Sequence, residues 1–145
     1  MLSDNTQMLE FNLFLIDNWY LSVPLFLSIL LWFRAESRRG GNRVDCDQLT
    51  KLANKESACL VDVRPSKEFE GGTIAGAINI PFEEVDLRHD ELLKMKDFPI
   101  VLICAMGRNA GLAGEKLQKH GYSETHVLKG GLATWQQEGL PLVKA

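Results

Sequence analysis

The first 33 residues contain neither lysine nor arginine. All 16 basic residues lie at or after Arg34, whereas Asp4, Glu10 and Asp17 are acidic residues that precede it. The formal net charge of −3 therefore belongs to the N-terminal segment, and the rest of the chain is electrically balanced. No block of basic residues is present, so nucleic acid is not an expected partner.

Cysteine is also scarce. The chain has only Cys46, Cys59 and Cys104, and no two of them form a C-x-x-C pair. This pattern excludes a disulfide framework and argues against a structural zinc site. The three histidines are scattered and suggest no metal site, so we expect neither a metal nor another cofactor. We expect Cys59 to lie in the core and Cys46 to be partly exposed in the first turn of a helix.

Charge is absent from the 15 residues between Trp19 and Phe33. A helix of that length spans only about 22 Å, but extension back to Leu13 supplies the length that a bilayer requires. Aromatic residues at both ends resemble interface anchors. We therefore predict a single transmembrane helix over about 13–33. A cleaved signal peptide would have a basic start, and a helix lying flat on the membrane would have a basic face; neither is present.

The arginines that follow this segment predict its orientation. By the positive-inside rule they place the C-terminal domain in the cytoplasm and the N-terminus outside, which gives a single-pass membrane protein. Residues 34–43, with Gly40-Gly41, are predicted to be a flexible linker, and residues 44–145 a folded domain. The arginines are Arg34, Arg38, Arg39 and Arg43.

From Val44 onward, short apolar runs alternate with helical patterns, which predicts an α/β fold with a doubly wound, mainly parallel sheet flanked by helices. Asp45 (with Gln48), Ser66 and Asp90 are expected to cap helices. Binding sites in such folds lie at the carboxyl ends of the strands. The predicted strands are Leu60–Val63, Ala77–Ile80, Ile100–Ile103 and His126–Leu128, and the predicted helical regions are 46–54, 66–69, 82–94, 110–120 and one beginning near Gly131.

The segment from Cys104 to Asn109 joins an apolar strand to a helix start. In this position backbone N–H groups and the positive end of the helix dipole surround the sulfur and favour the thiolate, the reactive form of cysteine. Gly107 allows the sharp turn. A cysteine that ends an apolar run is otherwise a small buried hydrophobe, and Arg108 is either an anion-steering group or a solvated loop residue.

Four segments, covering about residues 44–142, resemble the motifs of rhodanese domains of the single-domain sulfurtransferase type. With its apolar N-terminal segment, the chain is similar to membrane-anchored rhodanese-like proteins of Gram-negative bacteria, a resemblance that implies the inner membrane as its location. Two positions depart from the family pattern: Asn109 replaces the loop arginine, which comes one residue earlier as Arg108, and Thr73 replaces a histidine. The segments are Asp62-Val63-Arg64 with Glu68-Phe69, Gly72 to Pro81, Cys104 to Asn109, and Leu128 to Gly131 with Trp135.

The resemblance implies transfer of sulfane sulfur from a thiosulfate-like donor to a thiol or a cyanide-like acceptor through a persulfide on Cys104. It also implies that Arg64 pairs with Glu68 to brace the loop, and that Trp135 belongs to the core and the pocket wall. The residues expected to contact the substrate are Ala105, Met106, Gly107, Arg108, Asn109 and Ala110, and those expected to support the loop are Asp62, Arg64, Glu68, Gly130, Gly131 and Trp135.

Two other functions are compatible with parts of this pattern. A related phosphatase or arsenate site needs an arginine at the sixth position after the cysteine to hold a tetrahedral anion, and Ala110 stands there. The second alternative is a membrane-tethered rhodanese module that binds a partner protein, such as a membrane protein, without catalysis.

Overall fold

The computed structural model of the protein describes residues 2–37 and 40–144. The described residues form two compact units, one on each side of the gap at 38–39. Arg38 and Arg39, which the orientation prediction uses, lie outside the described residues.

The N-terminal unit consists of two helices, α1 (Leu2–Asp17) and α2 (Trp19–Ser37). Among the residues described, no single helix is long and apolar enough to cross a membrane. Met8–Asp17 and Trp19–Arg34 pass that test only as a pair, bent by 96°. The prediction of one continuous helix over about 13–33 is therefore wrong.

Polar contacts around Asn18 explain why the helix breaks there. The Asn18 side-chain amide donates to the carbonyl of Phe14 at 2.9 Å, and the Ser22 hydroxyl donates to the carbonyl of Leu15 at 3.1 Å. The Phe14 carbonyl also keeps the backbone N–H of Asn18, at 3.0 Å, whereas the Leu15 carbonyl is bonded by the Ser22 hydroxyl, where a continuous helix would supply a backbone amide. The bend is not at Pro24, which lies inside α2.

The second unit is built on a five-stranded sheet in which every pair of strands is parallel. The strand order is β1-β5-β4-β2-β3, so the chain crosses over between non-adjacent strands. This arrangement confirms the predicted α/β fold with a parallel sheet. The strands are β1 (Asn42–Val44), β2 (Cys59–Asp62), β3 (Ile78–Asn79), β4 (Ile100–Ile103) and β5 (Thr125–Leu128).

Helices cover both faces of the sheet and create two core layers. Ala113 and Leu117 pack in one layer, and Leu49 and Trp135 pack in the other. Burial on both faces explains why β4 is apolar throughout and β2 is apolar up to its last residue, Asp62, instead of alternating between apolar and polar residues. The helices are α3 (Cys46–Lys55), α4 (Ser66–Glu70), α5 (Val85–Arg88), α6 (Arg108–Lys119) and α7 (Gly131–Gln137), and 3₁₀ turns span Phe82–Glu84 and His89–Met95.

Residues 40–43 do not behave as a flexible linker. β1 begins at Asn42 and pairs with β5, and Gly40 is buried against α6. A Cβ added to Gly40 would lie 1.8 Å from the carbonyl oxygen of Gly111, and one added to Gly114 would lie 2.0 Å from that of Gly40. The glycines here therefore permit close packing of two backbones. In the sequence alone, glycines that serve close packing look the same as glycines of a flexible linker.

Of the three predicted helix caps, only one forms. Asp45 accepts from the Gln48 N–H at 2.8 Å, and the Gln48 side chain accepts from the Asp45 N–H at 3.1 Å. Ser66 lies inside α4 and donates instead to Asn79 at 3.0 Å, and Asp90 makes no capping bond to the residues described. Both predictions were wrong because each helix begins one or more residues earlier than expected.

Candidate active site

Cys104 directly follows β4 at the carboxyl edge of the sheet. It is only 4% exposed, and its Sγ accepts a hydrogen bond from the backbone N–H of Gly107 at 2.9 Å. Gly107 has a φ of +87°, which a residue with a side chain rarely adopts. The loop therefore curls back so that a main-chain amide points at the sulfur, as the sequence predicts.

The N-terminal amides of α7 hold the outer side of this loop. The N–H of Leu132 donates to the carbonyl of Cys104 at 2.9 Å, and the N–H of Ala133 donates to the carbonyl of Ala105 at 3.1 Å. Gly131 makes this approach feasible, because a Cβ there would lie 2.2 Å from the Cys104 carbonyl oxygen. The loop carbonyls are thus bonded to α7, and they do not compete for the amide that bonds the sulfur.

A pocket of about 420 Å³ opens above the cysteine. One wall is the loop that follows β4, and the opposite wall is the segment that follows β2. Cys104 therefore lies in a concave site formed at the ends of two neighbouring strands. The lining residues are Val63, Arg64, Pro65, Glu68, Cys104, Ala105, Met106, Arg108 and Asn109.

The wall opposite the loop is supported by the carboxylate of Asp62, which is fully buried. The guanidinium of Arg64 contacts both carboxylate oxygens, at 2.7 to 3.1 Å, and its Nη2 also donates to the Gly72 carbonyl at 2.7 Å. The Thr73 hydroxyl donates to the same carboxylate at 2.8 Å. Every group in this cluster has a partner, which makes the wall rigid.

The implied pairing of Arg64 with Glu68 is a minor contact. Arg64 Nη1 lies 3.8 Å from Glu68 Oε2, and the Glu68 side chain is 55% exposed, so Asp62 is the main partner of the arginine. Sequence reasoning missed the part played by Thr73. The sequence signal that could have shown it is the position of Thr73 in the family-like segment from Gly72 to Pro81, where it replaces the family's histidine.

The family model for the rhodanese-like domain matches residues 45–138, which is more than half of the chain. The chain belongs to the rhodanese-like domain family. It is 39% identical over 98 residues to the protein YibN of Escherichia coli, covering 67% of this chain and 68% of YibN. It is also 33% identical over 103 residues to a sulfurtransferase of Allochromatium vinosum, covering 70% of this chain and 94% of that protein.

A solved structure agrees with this assignment. The crystal structure of a rhodanese-related protein from Thermoplasma volcanium is 30% identical to this chain and superposes with a TM-score of 0.63. The alignment covers 72% of this chain and 99% of that one, so this chain contains the counterpart of a complete rhodanese-related chain.

Within the rhodanese-like domain, Arg108 and Asn109 form the first turn of α6 at the mouth of the pocket. Both are exposed, and they are consecutive residues of one helix. Met106 is 79% exposed at the rim. Ala110, which we expected to contact the substrate, faces the core from α6, is completely buried and does not line the pocket.

Trp135 and Gly130 lie outside the Cys104 pocket. The indole Nε1 of Trp135 donates to the Pro141 carbonyl at 3.0 Å, and its ring packs in the same core layer as Leu49 of α3. It is thus a core residue, but it does not form the pocket wall that we expected. Gly130 is in the left-handed conformation at the start of α7, where a Cβ would lie 1.9 Å from the Thr134 hydroxyl oxygen.

The other two cysteines of the domain are unsuited to act as nucleophiles. Burial, together with a hydrogen bond to Glu138 and nearby carboxylates, raises the pKa of Cys46 from 9.0 to about 11. Burial also raises the pKa of Cys59. Cys46 is only 1% exposed, which contradicts the partial exposure expected for it. Both thiols remain protonated at neutral pH, and neither lines the Cys104 pocket.

Proposed function

We propose that this protein is a sulfurtransferase that carries sulfane sulfur on Cys104. The main support is a cysteine sulfur at the floor of a pocket, bonded by a backbone amide at 2.9 Å. An N–H donor directed at sulfur is suited to the negative charge that the sulfur carries as a nucleophile and as a persulfide, because an amide bonds an anion more strongly than a neutral atom. Similarity to a sulfurtransferase over 94% of that protein's length supports the same activity.

In the first step, the Cys104 thiolate attacks the outer sulfur of a donor such as thiosulfate. A new sulfur–sulfur bond forms to Cys104, the sulfur–sulfur bond of the donor breaks, and sulfite leaves with the bonding electron pair. The product is a persulfide anion on Cys104. Covalent catalysis of this kind divides one difficult displacement into two easier ones.

In the second step, an acceptor nucleophile attacks the outer sulfur of the persulfide. With cyanide, a carbon–sulfur bond forms, the persulfide bond breaks, thiocyanate leaves and the Cys104 thiolate returns. Neither step requires a proton transfer, so a loop that carries no histidine or carboxylate between Cys104 and Asn109 suffices for the reaction. Charge is conserved in both steps, and no external oxidant or reductant is needed.

Arg108 is our candidate for donor recognition. It is exposed at the pocket mouth, and its guanidinium has no carboxylate partner within 4 Å among the residues described. An unpaired cation at this point attracts an anionic donor and offers several N–H groups to its oxygens.

The test combines intact mass and turnover. After incubation with thiosulfate alone, the wild-type chain should become heavier by one sulfur atom, and with cyanide it should release thiocyanate. Cys104→Ala should lose both properties, with turnover reduced on the order of 10⁴-fold, because the nucleophile is missing. Cys46→Ala is the matched control and should retain both. If no donor adds sulfur and Cys104→Ala reacts at the wild-type rate, the non-catalytic binding module is the better description.

We also propose that residues 8–34 attach the protein to a membrane, with the rhodanese-like domain on the cytoplasmic side. Large apolar side chains in this range are exposed in both helices, as in Phe14 at 60% and Phe26 at 73%. Burial of such a surface in lipid is strongly favourable. Arg34 follows the apolar stretch and no basic residue precedes it, which supports the orientation.

Membrane attachment is tested by fractionation with protease protection. The chain should sediment with membranes, resist extraction with carbonate, and become sensitive to protease in its C-terminal domain only after the membrane is broken. Digestion of that domain from the outer side of intact spheroplasts would contradict the orientation. Recovery in the soluble fraction would contradict attachment.

A further inference from the structure

A groove of about 390 Å³ adjoins the Cys104 pocket where the loop begins. The two cavities share four lining residues, Arg64 and Glu68 on one wall and Ala105 and Met106 on the other. A molecule whose reacting atom meets Cys104 can therefore extend along the protein surface into the groove. The residues that line the groove but not the pocket are Gly71, Gly72, Leu132, Ala133, Gln136 and Leu142.

The groove and the pocket differ in charge. Arg108, the exposed cation of the pocket, does not line the groove. The described lining of the groove has two charged residues, and one of them, Arg64, is bonded to the carboxylate of Asp62. The carboxylate of Glu68, whose side chain is 55% exposed, therefore gives the groove a negative charge. An anionic donor is attracted to the Arg108 side, whereas the groove favours a neutral or basic molecule.

Gln136 is the polar residue that α7 contributes to the groove. It is exposed, and its side-chain amide has no hydrogen-bond partner among the residues described. A carboxamide offers N–H donors and a carbonyl acceptor, and this combination complements a peptide group.

Apolar side chains stand beside this amide. Leu142 lines the groove, and so does Met106, which is 79% exposed at the rim shared with the pocket. A methionine side chain is flexible and adapts to apolar groups of different shapes. A free amide with apolar neighbours suits a peptide segment, which presents backbone polar groups and side chains together.

We propose that this groove is the acceptor subsite of the sulfurtransferase, and that it binds the peptide segment around an acceptor cysteine. Gln136 bonds the backbone of that segment, and Glu68 favours basic over acidic residues next to the cysteine. This role rests on the proposed sulfur transfer by Cys104. It makes Gln136, which lies outside the cysteine loop, a residue that determines the choice of acceptor.

In the transfer to such an acceptor, the peptide thiol first loses its proton to water. The peptide thiolate then attacks the outer sulfur of the Cys104 persulfide. A sulfur–sulfur bond forms to the peptide, the sulfur–sulfur bond to Cys104 breaks, and Cys104 leaves as the thiolate with the bonding electron pair. The product is a peptide persulfide, and no oxidant or reductant is consumed.

The acceptor step is isolated by loading the full-length protein with sulfur from thiosulfate and then removing the donor. Two acetylated tripeptide amides are compared, each with leucine before the cysteine and with either lysine or glutamate after it. Intact mass follows the loss of the sulfur atom from the protein. Discharge should saturate with peptide concentration, and the lysine peptide should half-saturate the protein at about a fivefold lower concentration, because Glu68 attracts it.

Glu68→Gln should reduce this difference between the two peptides to less than about twofold. Both peptides are measured on both proteins, so a difference in the intrinsic reactivity of their thiols is common to the two series. The loss of preference in the variant therefore reports the charge of the groove.

Gln136→Ala should raise the half-saturating concentration of both peptides by about fivefold, because a hydrogen bond to the peptide is lost. Discharge by cyanide should not change, because cyanide is too small to reach the groove from the sulfur. Gln137→Ala is the matched control, since Gln137 is the next exposed residue of α7 and lines neither cavity. It should change the half-saturating concentration by less than about twofold. Thermal melts check that all variants fold.

Three results would overturn the acceptor subsite: discharge that does not saturate with peptide, an equal response to the two peptides, or equal effects of Gln136→Ala and Gln137→Ala. In each of these cases a protein that takes up sulfur and is discharged by cyanide remains a sulfurtransferase. Failure to take up sulfur from any donor would instead refute the sulfur transfer and the subsite together.

Discussion

Arg64 and Arg108 line the same pocket from opposite walls, but their surroundings differ. Arg64 is 12% exposed, and its guanidinium is bonded to the buried carboxylate of Asp62 and to the Gly72 carbonyl. Arg108 is exposed in the first turn of α6 and has no carboxylate within 4 Å among the described residues. One arginine is fully engaged in holding the fold, and the other is available to a ligand.

This difference separates stability from function within one small site. A buried charge whose hydrogen bonds are all made is costly to disturb, because removing its partner leaves an uncompensated charge in the interior. An exposed cation can be removed with little effect on folding, because water and salt already screen it. Substitutions on the Arg64 wall should therefore change the free energy of unfolding, whereas those on the Arg108 wall should change kinetics.

The largest effect on folding is expected from Asp62→Ala. It removes the partner of Arg64 and of the Thr73 hydroxyl, and it should lower the free energy of unfolding by about 3–5 kcal/mol in urea titrations. Glu68→Gln is the control, since Glu68 is 3.8 Å from Arg64 and largely exposed, and it should cost less than about 1 kcal/mol. Similar losses for both variants would contradict the assignment of Asp62 as the main partner.

A smaller loss is expected from Gly131→Ala, which tests how α7 holds the Cys104 loop. The new Cβ would lie 2.2 Å from the Cys104 carbonyl oxygen at a φ of +61°, and we expect a loss of about 3 kcal/mol together with slower sulfur transfer. Gly139 has a similar φ of +72°, but a Cβ added there would have no described atom within 4 Å. Gly139→Ala therefore isolates the backbone strain, at about 1 kcal/mol. Equal losses would show that contact with the loop is unimportant.

Cys46 extends the comparison to a thiol, because its side chain is buried, as that of Arg64 largely is. Its pKa is about 11 in the folded protein and near 9.0 in the unfolded chain, so above pH 9 the unfolded chain loses a proton that the folded one keeps. Stability should therefore fall by roughly 2 kcal/mol between pH 9 and 11. The wild-type loss in that window should exceed the Cys46→Ala loss by this amount, as measured by urea titration at each pH. If the wild type and Cys46→Ala lose the same free energy of unfolding in this pH range, the assignment of the loss to Cys46 is wrong.

The smallest effect is expected from Arg108→Gln. The KM for thiosulfate should rise by about tenfold with little change in kcat or in the melting temperature, because a donor-steering charge is lost. Lys129→Gln removes an exposed charge just after β5 without touching the pocket, and it should leave the KM unchanged. Exchange of Arg108 and Asn109 is a stricter test, because an unchanged KM in that variant would exclude the steering role.

The sequence predicted correctly those strands and helix ends that are determined by residues close together in the chain. The apolar run Ile100–Ile103 forms β4 as expected, and Asp45 with Gln48 forms the predicted capping box. The same reasoning failed at Asn18, where the Ser22 hydroxyl bonds a carbonyl across a bend, and at Asn42, where β1 forms only because β5 lies beside it. Both failures involve partners that sequence periodicity does not reveal.

The candidate site divides in the same way. The position of Cys104 and the turn at Gly107 follow from the short segment between β4 and α6. The choice of Asp62 over Glu68 as the partner of Arg64, and the placement of Trp135 outside the pocket, depend on how separate segments pack.

Residue order along the chain was enough to establish that a parallel α/β domain presents a cysteine where an apolar strand turns into a helix, because apolar runs, turn glycines and helix starts act over a few residues. Packing in three dimensions decided which groups meet around that cysteine, and that Arg108 finds no carboxylate partner among the residues described. Such pairings join residues from different strands and helices, and their distances exist only once the sheet and its two layers have packed.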